Sequence, residues 1–181
     1  MRLLPIIFLL AACQPTEHAL LQTADSYHGF NEVQHRNVLK KYVGVDPKYT
    51  EWCAAFVNAV LEEHNVPGSM STSDYPLMAR SFLSWGEPVD ARNIRPGDIV
   101  VFPRGNTGWK GHVGFYVKTT TNGNWIILGG NQDNSVSYSA YDPKRALGIR
   151  RYKYSYEDSR SFIGETGRAG LGVLAPTRTN R

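Results

Sequence analysis

The first half of the chain carries apolar residues at helical spacing. Between residues 31 and 43 they recur every three to four positions, with Asn31 placed to cap a helix and Gly44 placed to end it. The stretch from Trp52 to Leu61 is almost wholly apolar, so the helix that it predicts must be buried in the centre of a domain. A third helix is predicted over residues 76–85.

The second half changes to short runs that are rich in β-branched and aromatic residues. The segment Thr121-Asn122-Gly123-Asn124 has the composition of a hairpin turn between two of these runs. Five strands are predicted, over residues 99–102, 112–117, 125–128, 136–139 and 147–154. Helices followed by an antiparallel sheet of about five strands indicate the α+β class.

The N-terminus has the pattern of an export signal. An apolar run from Leu3 to Leu10 is too short to span a bilayer, which needs about 20 residues. Residues 10–13 (LAAC) resemble a bacterial lipobox, in which Cys13 is acylated and becomes the mature N-terminus. We therefore expect a signal peptide over residues 1–12, a lipidated tether over 13–23, a catalytic domain over 24–155 and a disordered tail over 156–181.

Charge and composition exclude several classes of function. The formal net charge is +4, but no dense run of Lys and Arg indicates nucleic-acid binding. The Gly-rich stretch from Arg104 to Gly111 lacks the Gly-Lys-Ser/Thr ending of a phosphate loop and precedes a strand instead of a helix. Histidines and cysteines form no close pair of ligand spacing, so we expect neither a metal nor another cofactor.

Cys53 is the first candidate for chemistry. Thr50 is placed to cap the buried helix, which puts Cys53 in its first turn. Backbone N–H groups and the helix dipole stabilise a thiolate there, although a lone cysteine in an apolar helix is often only a small core residue. If Cys13 carries a lipid, Cys53 has no disulfide partner and is a free thiol.

His112 is the candidate base. It opens a predicted strand directly after the Gly-rich loop, where an imidazole can face a cleft near the start of the buried helix. The neighbouring strand ends in polar residues, of which Asn131 is the first choice to orient His112 and Asp133 the second. A polar turn after a strand explains the same composition.

Five short motifs, in this order, resemble the CHAP and NlpC-type cysteine peptidases of the papain-like class. The closest likeness is to a CHAP-like branch of bacterial and phage peptidoglycan hydrolases, and it runs from about residue 24 to 151. The motifs are residues 51–57 (EWCAAFV), 79–86 (ARSFLSWG), 96–102 (PGDIVVF), 111–114 (GHVG) and 129–132 (GGNQ). The resemblance implies a papain-like fold and a Cys53–His112 dyad. It leaves the third residue open, because such enzymes use Glu, Asn, Asp or His there.

The resulting expectation is a monomeric peptidoglycan hydrolase that cleaves amide bonds of cell-wall peptides through a thioester. Trp109 and Trp85 are candidates to line its substrate cleft, although both residues also suit packing. Its partners would be the peptide substrate and a membrane, reached through the lipid on Cys13. This places it in the bacterial envelope, as a lipoprotein or a phage lysis protein. The alternatives are a non-catalytic wall-binding lipoprotein on the same fold and a thioester-forming acyltransferase.

Overall fold

The computed structural model describes residues 17–152 of the chain. Three α-helices come first and are followed by a six-stranded sheet. The helices are α1 (Glu17–Ser26), α2 (Arg36–Val43) and α3 (Cys53–Glu63). Short 3-10 turns connect α3 to the sheet. Within residues 17–152 no helix is long and apolar enough to cross a membrane.

Helix α1 begins within the segment that was predicted to be a tether. Residues 17–23 belong to this helix, in which Leu20 and Ala24 are buried. These two residues are four positions apart and therefore share one face of the helix. Two buried positions among polar neighbours produce only a weak helical periodicity, so the sequence pattern does not predict this helix. The predicted signal peptide, Cys13 and the predicted tail lie outside the described residues.

The two predicted helices that follow are present with shifted starts. Asn31 accepts hydrogen bonds from the backbone of Val33 and Gln34, but α2 begins only at Arg36. Gly44 ends α2 in the left-handed conformation, as predicted for a helix stop. The third predicted helix is replaced by a 3-10 helix over Ala79–Ser84.

The sheet is antiparallel throughout and confirms the α+β prediction. All five predicted strands are present, and the additional one, β1, has only two residues and gives no periodic signal. Neighbours along the sheet are β1-β6-β2-β3-β4-β5. The strands are β1 (Glu87–Pro88), β2 (Ile99–Pro103), β3 (Gly111–Thr119), β4 (Trp125–Gln132), β5 (Ser135–Tyr141) and β6 (Gly148–Arg151).

Helix α3 packs against β3 and β4, and this contact positions the start of the helix. The backbone of β4 approaches closely at Gly130, where a Cβ would lie 2.6 Å from Trp52 Cζ3 and 2.7 Å from Phe56 Cβ. Trp52, which directly precedes α3, and Phe56 are both fully buried. Only glycine at position 130 therefore lets β4 lie against the first turn of α3.

Asp98 closes the turn before β2 and ties it to the last strand. Its carboxylate accepts hydrogen bonds from Arg151 Nε at 2.7 Å, from Arg151 Nη2 at 2.8 Å and from the Arg95 backbone at 2.8 Å. The Asp98 side chain is completely buried. The Pro-Gly-Asp motif therefore has a structural role, because it joins two neighbouring strands of the sheet.

We expect Asp98→Asn to lower the free energy of unfolding by about 2–4 kcal/mol, because it removes the charge of a completely buried carboxylate that pairs with the Arg151 guanidinium. Urea denaturation measures this change. Asp90→Asn is the matched control, since its ion pair with Arg92 is exposed. Equal losses in the two variants would contradict the role assigned to Asp98.

Candidate active site

Cys53 is the first residue of α3, as predicted, and Trp52 is its N-cap. The thiol is 2% exposed. No side chain caps the helix, so Thr50 does not have the predicted role. The first N–H groups of an α-helix have no partners within the helix, and they point toward the position of Cys53.

Burial sets the protonation state of Cys53 and corrects the expected thiolate. Removal from water raises the pKa of the thiol, and this effect is larger than the opposing effects of the Val113 and Ala54 backbone and of the Arg104 charge. In the conformation described, the group is therefore a neutral thiol. A helix start alone does not ionise a cysteine that is this deeply buried.

His112 is the second residue of β3 and is 5% exposed. The pKa of His112 is lowered from 6.5 to about 4, chiefly by burial and also by the nearby Arg104 charge, while a hydrogen bond with Gln132 opposes the shift. The ring is therefore a neutral imidazole near pH 7. A neutral imidazole has one lone pair with which to accept a proton.

The start of β3 brings Cys53 and His112 into one region. The backbone of Val113, directly after His112, lies close enough to the Cys53 sulfur to favour its thiolate form. Arg104 acts on the pKa of both groups. Within the described part of the chain, the thiol and the ring make no hydrogen bond to each other. Such bonds often form only when substrate closes the site.

Gln132 is the hydrogen-bond partner of the His112 ring, with 3.2 Å between its Oε1 and His112 Nε2. The amide nitrogen of Gln132 donates to the backbone carbonyls of Ile127 at 3.3 Å, of Gly129 at 3.4 Å and of Ser137. These acceptors fix the amide so that Oε1 faces the ring. His112 Nε2 must then carry the proton, which leaves Nδ1 as the basic nitrogen.

Tyr141 supports the same arrangement from β5. Its hydroxyl donates to Gln132 Oε1 at 3.0 Å, and its ring stacks on His112 with a centroid distance of 5.7 Å and an interplanar angle of 10°. Burial raises the pKa of Tyr141 to about 12, so its hydroxyl stays protonated. Tyr141 is not predicted from the sequence as a site residue, because an aromatic residue in an alternating strand is typical of packing.

Asn131, the predicted orienting residue, has a different partner. Its Nδ2 donates to Glu51 Oε2 at 2.6 Å, and Glu51 also accepts from Arg104. A β-bulge between Gly129 and Gln132 inserts one residue into β4, and Asn131 there has a φ of 58°. One extra residue exchanges the two faces of a strand, which brings Gln132 to the ring in place of Asn131.

The remaining predicted site residues lie away from the ring or at its edge. Asp133, the second choice for the orienting residue, is exposed just after the bulge. Trp85 is 2% exposed, and its Nε1 donates to the Pro67 carbonyl at 2.7 Å, so it packs in the core and lines no cleft. Trp109 is exposed on the loop before β3, where Lys110 lies over its ring.

A cavity of about 220 Å³ opens beside the imidazole. His112, Gln132 and Tyr141 form one part of its wall, and Arg104, Arg145 and Asp133 contribute charged groups. Cys53 is not among the residues that line this cavity.

The depressed pKa of His112 predicts a loss of stability at low pH. Between pH 6.5 and about 4 the unfolded chain binds a proton at His112 and the folded chain does not, so stability is lost as the pH falls through this window. The loss is on the order of 3 kcal/mol. Urea denaturation at pH 7 and pH 4.5 measures it. His112→Gln should reduce the pH dependence by that amount, and an unchanged dependence would contradict a buried neutral ring.

One protein family matches the part of the chain that contains the candidate pair. The CHAP domain family matches residues 44–131, which include Cys53, His112 and Asn131. No curated protein sequence matches the chain at a significant level.

Three solved structures share the fold. An NlpC/P60 family protein from Bacillus cereus ATCC 10987 is 18% identical with a TM-score of 0.51, and the match covers 77% of this chain and 41% of that one. The wild-type endolysin LysIME-EF1 is 14% identical with a TM-score of 0.51, over 78% of this chain and 66% of that one. A protein from Staphylococcus aureus subsp. aureus Mu50 is described as similar to lipoprotein, NLP/P60 family. It is 16% identical with a TM-score of 0.51, over 81% of this chain and 46% of that one.

The chain therefore spans about two fifths to two thirds of the length of these structures. At these identities the likeness concerns the fold alone. Residues 44–131 match the CHAP domain family, and the chain shares the fold of NlpC/P60 family proteins.

Proposed function

We propose that this protein is a peptidoglycan hydrolase that cleaves amide bonds of cell-wall peptides, with Cys53 as nucleophile and His112 as base. The observation that carries the proposal is the hydrogen bond from His112 Nε2 to Gln132, which leaves Nδ1 basic inside a segment that matches the CHAP domain. The fold shared with an endolysin supports the choice of peptidoglycan as substrate.

The reaction begins from a neutral pair. His112 Nδ1 takes the proton from the Cys53 thiol as the sulfur attacks the carbonyl carbon of the substrate amide. The C–N bond then breaks, and the leaving amine takes that proton from the imidazolium. Water attacks the resulting thioester, gives one proton to His112 and releases a carboxylic acid, and the thiol is restored. Gln132 acts as the orienting third residue, because it keeps the Nε2–H tautomer through the cycle.

The start of α3 supplies the group that stabilises the oxyanion. The Cys53 backbone N–H lies at the first helical position, where it has no partner within the helix. We assign it to the developing negative charge on the amide oxygen. Arg104 adds a positive charge close enough to act on both reacting groups, and it favours the thiolate over the imidazolium.

Export and membrane anchoring through Cys13 remain part of the proposal and rest on the lipobox-like segment at residues 10–13. A neighbouring fold that is described as similar to a lipoprotein agrees with this placement. Radiolabelled palmitate should label the wild type, and Cys13→Ser should abolish both the labelling and membrane retention. Labelling that persists in the variant would overturn the lipobox.

The activity is tested by incubating the purified full chain with purified peptidoglycan. The proposal predicts new free amines and peptide fragments, whose masses identify the cleaved bond. A wall-binding protein would sediment with peptidoglycan without releasing fragments. An acyltransferase would give products that contain an added amine in place of water. Either of these outcomes would contradict the hydrolase.

A further inference from the structure

The charges around the cavity beside His112 are unequal. Arg104 and Arg145 both line it, whereas Asp133 is its only acidic lining residue within residues 17–152. His112 and Tyr141, which form the wall between these groups, are neutral near pH 7 because of their shifted pKa values. Two arginines and one aspartate therefore line the cavity.

The two arginines differ in their present partners. Arg104 donates a hydrogen bond to Glu51, and Asn131 donates to the same carboxylate. Arg145 is exposed and makes no ion pair with any residue of the described range. Both act electrostatically on Tyr141, as does Asp133 with the opposite sign, so the three charges lie around one ring. A guanidinium binds a carboxylate through two parallel hydrogen bonds, which makes arginine well suited to recognise such a group.

We propose that this cavity binds a free carboxylate of the substrate through Arg104 and Arg145. The preferred substrate is then a peptide that carries a free carboxylate beside the cleaved amide bond. This inference rests on the proposed function, because it names the substrate class of the same site. The cavity adjoins His112, so a carboxylate bound there would lie beside the imidazole.

A binding experiment separates this inference from the catalytic proposal. The probe is N-acetylalanine, whose carboxylate is its single charged group, and N-acetylalaninamide serves as its uncharged counterpart. Both are titrated into the full chain carrying Cys53→Ala, with the His112 ring resonances followed by NMR. We expect saturable shifts with the acid and about tenfold weaker binding of the amide. Equal shifts with the two compounds would overturn the carboxylate site.

Three further substitutions, made in the same Cys53→Ala background, assign the charges. Arg145→Gln is expected to weaken binding of the acid by about tenfold. Arg92→Gln is the matched control, because Arg92 is exposed and bonded to Asp90 away from the cavity. This variant should bind the acid with unchanged affinity. Asp133→Asn should tighten binding of the acid, a gain that misfolding does not imitate. Asparagine also tolerates the positive φ of 51° at that position.

A catalytic experiment with the active enzyme uses peptidoglycan whose carboxyl groups have been converted to amides with carbodiimide and ammonia. The wild type should release fragments from this material about tenfold more slowly than from untreated peptidoglycan. Arg145→Gln should lose most of that discrimination. A wild type that hydrolyses both materials at the same rate would overturn the inference and leave the proposed function intact. Carboxylate binding without any hydrolysis would contradict the proposed function alone.

Discussion

Replacing Cys53 by alanine should lower the rate of fragment release from peptidoglycan by at least about 10⁴-fold, because the sulfur forms the covalent intermediate. The variant should remain folded. Alanine fits the first turn of α3, and loss of one buried sulfur costs about 1 kcal/mol. The release rate and the urea midpoint of the same preparation separate a catalytic loss from a structural one.

The other cysteine of the chain is the control for this experiment. Cys13→Ala, assayed in solution, should keep the full rate, because Cys13 belongs to the N-terminal segment that precedes the matched domain. Fragment release by Cys53→Ala at the wild-type rate would exclude Cys53 as the nucleophile. Loss of activity in both variants would indicate a defect that is not specific to the candidate site.

The second large effect is expected at Gln132. Gln132→Ala should lower kcat about 10²-fold, since the ring loses the acceptor that keeps the proton on Nε2. The hydrogen bond to Gln132 raises the pKa of His112. Its loss should therefore move the acid limb of the pH–rate profile to lower pH. Gln132→Glu should move that limb higher, because a carboxylate stabilises the imidazolium.

Asn131 is the matched comparison for Gln132. Asn131→Gly removes the side chain, and glycine accepts the positive φ at this position without strain. We expect a decrease of only about threefold and an unchanged acid limb, because Asn131 bonds to Glu51 and not to the ring. A larger loss in Asn131→Gly than in Gln132→Ala would return the orienting role to Asn131.

Much of the fold follows from the sequence because its elements are long or strongly marked. The apolar run from Trp52 predicts a buried helix, and residues 121–124 predict a hairpin turn. The structure contains both elements. Helix α1 was missed, since only Leu20 and Ala24 of its residues face the core closely enough to be buried. Strand β1 was missed because two residues have no measurable alternation.

The places of Cys53 and His112 in the fold were predictable, whereas the surroundings of this candidate pair were not. Cys53 and His112 are marked by residue type and by their place at the start of an element. The bulge that exchanges Asn131 for Gln132 depends on one additional residue in the β4–β5 pairing, and no local pattern reveals such an insertion. The neutral state of Cys53 depends on burial, which tertiary packing determines.

The most direct test of the account is the mass of the enzyme during turnover. The full chain is mixed with soluble peptidoglycan fragments, quenched in acid within the first turnover, and digested for mass spectrometry. The account predicts an acyl adduct on the peptide that contains Cys53, sensitive to hydroxylamine as a thioester is and absent from His112→Gln. Turnover without any adduct on Cys53, or with an adduct on another residue, would contradict it.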